Sequence, residues 1–377
     1  MDNTGNYYIC NWAFGYGSAS SNRLLAYAKA MRKKGVKATV IVLLGLNDRG
    51  MPENEKSLVK GLPSCGIKNK LLSSLYSLFS TIFFLLFTVK KADKILLYGS
   101  AEFLPIFYLL RRSQLTFEVT ESPDIFHPRT YPFVLYKKLW RKLPRIVVIS
   151  KNLKQYFIDN GVSSKSIKII NMIVDASRFS NIKNLEAKDK YIAYCGNVYS
   201  DDKDGVKDLL NSFALYHKTF SDRRLCIIGP INSSGLQKEY LNLMRDKGID
   251  SYVSIIGMVS PFEIPTLLSN AEMLVLSRPD NVQAKFGFPT KVGEYLLSGR
   301  PIVVTDVGNI TDFLKDGINA YLTQPGDYEA FAKKMVEVSS DTTRANEIGR
   351  RGRETALLSF NSEIESLKLM KFMNMKV

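Results

Sequence analysis

Short apolar runs alternate with longer stretches of helical periodicity along most of the chain. In the first half, the apolar runs predict strands at 7–12, 36–44, 95–98, 115–119 and 146–150, with 167–171 as a further candidate. Apolar strands that alternate with helices are typical of a parallel sheet covered on both faces. The first half is therefore predicted to be one α/β domain.

The second half repeats this alternation after a polar, lysine-rich stretch at 181–190, which is predicted to be a linker. Strands are predicted at 191–195, 224–228, 253–256, 273–276 and 301–305, and helices at 206–217, 236–247, 261–269, 291–297, 311–315, 328–338 and 361–373. A chain of 377 residues is long enough for two domains. We predict two doubly wound, Rossmann-like domains that face a central cleft, at 1–180 and 188–358, with the helix at 361–377 packing back on the first domain.

A loop with two glycines follows the first predicted strand. Gly15 and Gly17 precede small residues and a helix, as in a dinucleotide-binding loop that lacks its third glycine. No acidic residue ends the second strand, and Asp48 comes only in the following loop, which argues against a nicotinamide cofactor. The loop is either a tight turn or a place where a ligand approaches the backbone closely.

The cysteine and histidine content and the net charge argue against several classes of function. Four cysteines lie far apart without a CxxC pair, and two histidines are too few for a histidine-built zinc site. The first thirty residues show no secretory signal, so we expect a reducing, cytoplasmic location. The net charge of +16 favours an anionic partner, and without a nucleic-acid motif we expect no nucleic acid among the partners.

Two segments indicate a membrane surface as that partner. Residues 125–158 contain no acidic side chain and interleave basic with aromatic residues, which suits either an interfacial helix or a solvated surface helix. Residues 71–89 contain no charge and are long enough to span a bilayer. However, a polar stripe at helical spacing and a strand directly afterwards favour a buried or surface-embedded helix; the stripe consists of Ser73, Ser77, Ser80 and Thr81.

The segment 285–306 is the most informative part of the chain. Gly287, Pro289 and Thr290 form a predicted loop, and Lys291 begins a helix. A helix N-terminus with a hydroxyl and a lysine is suited to bind a diphosphate. Glu294 lies one turn inside this otherwise apolar helix, where an ionisable group needs a partner.

These motifs resemble those of the retaining, GT-B-fold glycosyltransferases of family 4, especially bacterial members that build surface polysaccharides. The resemblance implies that Lys203 binds the donor diphosphate, that the turn at Gly257 and Met258 contacts the nucleobase, and that Glu294 binds the ribose hydroxyls. The sequence differs from the family pattern at two positions: Asn197 stands where an arginine is common, and Phe286 stands at the first glutamate of the EX7E motif. The sugar would then be bound by backbone amides around Gly287 and Phe288, or by another side chain.

The resemblance implies that the C-terminal domain binds a nucleoside-diphosphate sugar. As donor-binding residues we select Gly15 and Gly17 from the glycine loop of the first domain and, from the second, Asn197, Lys203, Gly257, Met258, Gly287, Phe288, Pro289, Thr290, Lys291 and Glu294. Lys203 and Lys291 would also stabilise the leaving group, so we place them in catalysis. In the first domain, Glu121 is the preferred acceptor-side residue, near Glu118 and His127, although it also suits a helix N-cap.

Asp202 and Asp204 resemble the DxD pair that holds a metal in another class of sugar transferases. No second carboxylate cluster accompanies them, and an acidic helix N-terminus explains them equally well. We therefore predict a metal-independent enzyme without a cofactor. Its acceptor would be a lipid-linked glycan, and the protein would lie on the inner face of the cell membrane. An inverting GT-B transferase, a nucleotide-sugar epimerase and a non-catalytic anion- or membrane-binding scaffold remain as alternatives.

Overall fold

A computed structural model describes residues 5–46, 51–64, 70–123, 133–180, 182 and 190–375, without the side chains of residues 70, 71, 133 and 134. The chain divides into two compact units. Unit 1 comprises Met1–Asp175 together with Ser362–Val377, and unit 2 comprises Ala176–Asn361. The predicted linker at 181–190 lies largely outside the described residues, and so do Asp48 and His127.

Unit 1 contains a parallel sheet of seven strands in the order β3-β2-β1-β4-β5-β6-β7. The strands are β1 Tyr7–Asn11, β2 Ala38–Val42, β3 Val59–Gly61, β4 Lys94–Tyr98, β5 Leu115–Val119, β6 Ile146–Val148 and β7 Ile167–Ile169. The central strands β1 and β5 are buried along their whole length, as their apolar sequences predict. The edge strand β3 has no counterpart in the sequence prediction, because its three residues are too few to form a pattern.

The helices that connect these strands cover the sheet. They are α1 Ala19–Lys33, α2 Glu53–Lys56, α3 Lys70–Phe83, α4 Leu104–Arg111, α5 Phe133–Trp140 and α6 Lys151–Asp159. A five-residue π-helical segment, Phe84–Thr88, continues α3. Within the part of the chain that the structure describes, no helix is both long and apolar enough to cross a bilayer.

Unit 2 contains a parallel sheet of six strands in the order β10-β9-β8-β11-β12-β13. The strands are β8 Tyr191–Cys195, β9 Arg224–Ile228, β10 Val253–Gly257, β11 Met273–Leu276, β12 Ile302–Thr305 and β13 Tyr321–Thr323. The helices are α7 Asp201–Asp204, α8 Val206–His217, α9 Ser234–Asp246, α10 Ile264–Asn270, α11 Val282–Phe286, α12 Thr290–Ser298, α13 Tyr328–Ser340 and α14 Thr342–Ser359. The helix predicted at 311–315 is wrong: that region forms only a 3-10 turn at Ile310–Asp312.

Helix α15, Ser362–Phe372, returns to unit 1 and packs against α1. Its Leu369 and Met370 belong to the same hydrophobic core as Tyr7 and Leu24. The Tyr7 hydroxyl donates to the Sδ of Met373 at 3.0 Å, and the Asn171 amide donates to the Glu365 carboxylate at 2.9 Å. The core of unit 1 is therefore completed by a segment that follows unit 2 in sequence.

Candidate functional site

The predicted donor-binding residues of unit 2 follow the carboxyl ends of its strands. The chain moves from β8 to β9 and β10 in one direction across the sheet, and from β11 to β12 and β13 in the other. In such sheets a ligand binds outside the carboxyl ends of the two strands where the direction reverses, here β8 and β11. The loop after β8 leads into α7, and the loop after β11 leads through α11 to α12.

Lys291, in the first turn of α12, is held in a buried polar network. Its ammonium donates to the Asp204 carboxylate at 2.7 Å and to the Tyr194 hydroxyl at 2.5 Å. The Tyr194 hydroxyl in turn donates to the same oxygen of Asp204 at 3.2 Å. The Asp204 side chain is 3% exposed, and its second oxygen accepts the Tyr199 amide at 3.0 Å. This network fixes the position of one cation beside β8.

Two glycines allow the loop after β8 to pack this closely. A Cβ at Gly196 would lie 2.0 Å from the Cε of Lys291, so the lysine stem occupies the space that a side chain would need. Gly205 adopts φ +65° at the end of α7, where a Cβ would lie 2.0 Å from the Ser277 carbonyl oxygen. A larger residue at Gly196 would displace the Lys291 side chain, and one at Gly205 would push the end of α7 away from Ser277, so either would disturb the pair of Asp204 and Lys291.

Burial and charge act in opposite directions on the Lys291 ammonium. Burial lowers its pKa below the ordinary value for lysine, while the neighbouring Asp204 carboxylate raises it; Arg278 lowers it further and Cys195 raises it. Burial also raises the pKa of the Tyr194 hydroxyl well above its usual value, and Asp204 adds to this effect. Tyr194 therefore stays neutral and can relay a hydrogen bond between the ammonium and the carboxylate.

Asn197 in the loop after β8 and Lys203 in α7 share an aromatic neighbour, Tyr199. The Lys203 ammonium is 5.0 Å from the centre of the Tyr199 ring, and the Asn197 amide donates to the Tyr199 hydroxyl at 3.4 Å. Lys203 is half-buried and Asn197 is exposed. Lys203 contacts an aromatic ring and has no carboxylate partner among the ion pairs of the described residues, so its charge is suited to meet an anion that enters from solvent.

Glu294 has the partner that its place on an apolar helix face requires. The Arg178 guanidinium donates to its carboxylate and also to the Pro261 carbonyl oxygen, the latter at 3.0 Å. Arg178 lies in the 3-10 turn Ala176–Phe179 at the start of unit 2. It was missed by sequence reasoning: Glu294 indicated that a basic partner exists, but nothing in the sequence identifies one that lies 116 positions away.

Arg178 therefore connects the two segments that the family resemblance assigns to the nucleoside. Pro261 closely follows the turn at Gly257 and Met258, which comes after β10. Gly257 adopts φ +76°, its carbonyl oxygen accepts the Gly229 amide at 2.8 Å, and Met258 is 81% exposed. The guanidinium therefore bridges α12 and the segment that follows this turn.

The loop before α12 corrects one prediction. The Gly287 amide donates to the Gln283 carbonyl oxygen at 3.0 Å, because Gly287 ends α11, so it is not available to a sugar hydroxyl. Phe288 and Pro289 are buried, and the Phe288 ring packs against Phe313 and Phe360. Thr290 is exposed at the start of α12, where the first amides of a helix have no partner within it.

Within the acidic pair at 202 and 204, Asp204 has a cationic partner. Asp204 binds Lys291, and Asp202 is exposed. Their neighbour Asp201 accepts the Lys207 amide at 2.8 Å and the Tyr240 hydroxyl at 2.9 Å. Among the described residues, no group of three or more His, Cys, Asp or Glu side chains could hold a metal ion.

The remaining predicted residues belong to unit 1. Glu118 is fully buried and accepts from the Arg23 guanidinium at 2.8 Å and the Tyr27 hydroxyl at 3.0 Å, so it is part of the domain interior. Glu121 follows β5 and is half-buried. In the glycine loop, the Gly15 amide donates to the Ser21 hydroxyl at 3.2 Å, and Gly17 adopts φ +85°.

Comparison with known proteins shows what the chain is similar to. Residues 189–341, all within unit 2, match the family model described as "Glycosyl transferases group 1". The structure of HepE from Anabaena, determined with UDP and glucose, superposes with a TM-score of 0.77 over 97% of this chain and 98% of that one, at 17% identity. The predicted fold class is confirmed: the chain has the GT-B architecture.

Two curated relatives are similar over parts of the chain. The putative glycosyltransferase EpsD of Bacillus subtilis is 26% identical over 151 residues, which cover 40% of this chain and 37% of that protein. The capsular polysaccharide biosynthesis glycosyltransferase CapM of Staphylococcus aureus is 21% identical over 240 residues, which cover 58% of each. The chain thus matches about one third to three fifths of the length of these two proteins.

Proposed function

We propose that this protein is a glycosyltransferase that moves a sugar from a nucleoside-diphosphate sugar to a hydroxyl of a glycan acceptor, with retention of the anomeric configuration. The observation that supports this most directly is the Lys291 ammonium, fixed by the buried Asp204 carboxylate at the start of α12 beside the strands where a GT-B protein would bind its donor. Because HepE was crystallised in complex with UDP and glucose, a UDP-sugar is the first donor to test.

The chemistry requires charge at the leaving group. When the bond from the anomeric carbon to the diphosphate oxygen breaks, negative charge grows on the diphosphate. Lys291, Lys203, the Thr290 hydroxyl and the first amides of α12 would stabilise that charge because they are positioned before the reaction begins. The departing diphosphate would take the proton of the attacking hydroxyl, so no nucleophile from the protein is needed.

The acceptor is proposed to be a lipid-linked glycan of a surface polysaccharide, bound by unit 1 with Glu121 near its hydroxyl. The relatives support the polymer class only: CapM acts in capsular polysaccharide biosynthesis, and AmsK of Erwinia amylovora acts in amylovoran biosynthesis. A lipid-linked acceptor would place the protein on the inner face of the cell membrane, and the basic and apolar segments of unit 1 support this proposal.

Donor binding tests this function directly. A UDP-sugar at about 100 times its dissociation constant should stabilise the fold by about 2.7 kcal/mol, because it binds the folded state alone. A panel of nucleotide sugars is compared by thermal unfolding, and the stabilising donor is then incubated with an oligosaccharide acceptor. Retention at the product's anomeric carbon supports the proposal. An inverted product, an epimerised donor without transfer, or no stabilisation by any nucleotide sugar would each contradict it.

Metal removal should leave the rate of this transfer unchanged. The cations that we assign to the diphosphate are side chains, so stabilisation of the leaving group does not require a divalent ion. The assay compares initial rates in EDTA and in added Mg²⁺ or Mn²⁺. A rate that falls to background in EDTA and returns only with the metal would refute the assignment of Lys203 and Lys291 as the main electrostatic groups.

A further inference from the structure

Helix α3 and its π-helical extension expose several large apolar side chains, whereas two of their polar side chains are buried. Ser77 and Thr81 are 2% and 0% exposed, and the Thr81 hydroxyl is satisfied by the Ser77 carbonyl oxygen at 2.8 Å. Phe79, Phe83 and Phe87, four residues apart, are 69%, 63% and 73% exposed. Large exposed apolar patches mark surfaces that meet another apolar phase.

Neighbouring helices extend this apolar surface. The chain moves from β3 to β4, β5 and β6 in one direction, so right-handed crossovers place α3, α4 and α5 on the same face of the sheet, opposite α1. On that face Leu109 of α4 is 77% exposed and Leu135 of α5 is 58% exposed. These exposed side chains therefore lie on the same face of the sheet as those of α3, and α4 contacts the π-helical segment directly. We call this surface, defined by α3, the π-helical segment, α4 and α5, the apolar face.

A basic cavity lies at the border of the apolar face. It measures about 680 Å³ and is lined by Lys91, Leu110, Arg111, Arg112, Ser113, Gln114 and Pro144, a lining without an acidic side chain. The Arg111 guanidinium donates to the Leu86 and Val89 carbonyl oxygens, each at 3.3 Å, so it is anchored to the π-helical segment. Lys91 and Arg112 are exposed.

The cavity is distinct from the edge of the sheet where the acceptor would bind. Lys91 precedes β4, Arg111 and Gln114 precede β5, and Pro144 precedes β6, so the cavity lies at the amino ends of these strands. Glu121 and the loop with Gly15 follow carboxyl ends. The cations of the cavity are thus available for a role other than acceptor recognition.

We propose that the apolar face docks on an anionic lipid bilayer and that its basic cavity receives the phosphate of a lipid headgroup. This proposal rests on the proposed function, in which the acceptor is attached to a membrane, and it names the surface that meets that membrane. Aromatic and leucine side chains would enter the headgroup–acyl boundary, and the cations at the border would lie at the level of the phosphates. Charge complementarity favours a bilayer over a second copy of this chain, because two copies would oppose their basic borders.

Vesicle sedimentation tests the proposal with the full chain. Wild-type protein should sediment with vesicles of phosphatidylcholine and phosphatidylglycerol, and far less with phosphatidylcholine alone. The variant F83S/F87S should bind the anionic vesicles at least about tenfold more weakly, because two exposed rings no longer enter the bilayer. The variant K91Q/R112Q should lose about fivefold for each cation removed.

Matched controls separate docking from general effects of charge and polarity. K34Q/K37Q removes two exposed lysines near the end of α1, on the opposite face, and L358S removes an exposed leucine of unit 2. Both should bind anionic vesicles as the wild type does. UDP binding by every variant shows that it has folded and tests the donor site separately, so failure to bind UDP contradicts the proposed function and not the docking surface.

Three results would overturn the docking proposal. The wild type could stay in solution with anionic vesicles, or both face variants could bind them as the wild type does. Light scattering could also show a dimer that F83S/F87S dissociates, in which case a second copy covers the apolar face.

Discussion

Replacing Lys291 with methionine is expected to lower kcat/KM for sugar transfer by about 10²-fold, because one well-placed donor to a developing negative charge contributes about 3 kcal/mol. The ammonium lies 2.7 Å from Asp204 and is fixed before any donor arrives. Initial rates measured against donor concentration check the prediction. Substitution of Lys203 by alanine is expected to lower turnover by more than about tenfold.

The single variant K291M leaves the buried Asp204 carboxylate without its cation, which alone destabilises a protein by about 3–5 kcal/mol. The control is therefore K291M/D204N, in which both charges are removed together. This double variant should unfold at a higher temperature than K291M and should remain inactive. If it transfers sugar at the wild-type rate, the ion pair only ties α12 to α7, and Lys291 has no place at the diphosphate.

The same pair should set the alkaline limit of donor binding. Burial lowers the pKa of Lys291, so it loses its proton at a lower pH than an ordinary lysine, and donor affinity should fall as the pH rises through that range. The Asp204 carboxylate opposes this effect. D204N should therefore move the fall in affinity to a still lower pH, which a purely structural role of Asp204 would not do.

Replacing Glu294 with glutamine is expected to raise the donor KM by a factor equivalent to about 1–3 kcal/mol, with a smaller change in kcat. The ribose does not react, so a hydrogen bond to it is equally strong in the ground state and in the transition state. Donor KM and melting temperature are measured together. A lower melting temperature with an unchanged KM would mean that Glu294 serves only to hold Arg178.

Arg178 makes this test sharper. It contacts both Glu294 and the Pro261 carbonyl oxygen, so R178M should weaken UDP binding through the position of Glu294. In a double-mutant cycle, the effects of R178M and E294Q on UDP affinity should be less than additive. If Glu294 binds the ribose 2′-hydroxyl, both variants should show a smaller preference for UDP over its 2′-deoxy analogue, which lacks that hydroxyl.

Arg300 offers a matched control for R178M. Its guanidinium also donates to a backbone carbonyl oxygen, that of Ser269, but it precedes β12 and so lies at the amino end of the sheet. R300M should alter stability without altering the affinity for UDP. Equal losses of UDP affinity in R178M and R300M would show that the effect is one of general destabilisation.

The sequence predicts the central strands well because a strand that is buried on both faces has apolar side chains at nearly every position. β1, β5 and β8 are examples, and each lies within the residues predicted for it. The edge strands β3 and β13 were missed, since three residues at the border of a sheet need no such run. The sequence therefore does not predict a strand that forms only because it pairs with a neighbouring strand and that has no apolar pattern of its own.

In the candidate site too, the local sequence predicts where a helix begins but not which distant residues its side chains contact. The start of a helix near Lys291 follows from the Pro289 and Thr290 positions, and α12 begins there. The partners of its side chains come from elsewhere: Asp204 lies 87 positions away and Arg178 lies 116 positions away. A motif can indicate that a charged residue requires a partner, but only the fold identifies which one.

The placement of α15 has a consequence for synthesis of the chain. Unit 2 is continuous in sequence, whereas the core of unit 1 includes Leu369 and Met370, which leave the ribosome only after the whole of unit 2. Domains generally fold as units during translation. Unit 1 can therefore complete its core only after unit 2 has been synthesised, and part of that core stays uncovered until then. A chain that stops before α15 would expose apolar surface that quality-control proteases recognise.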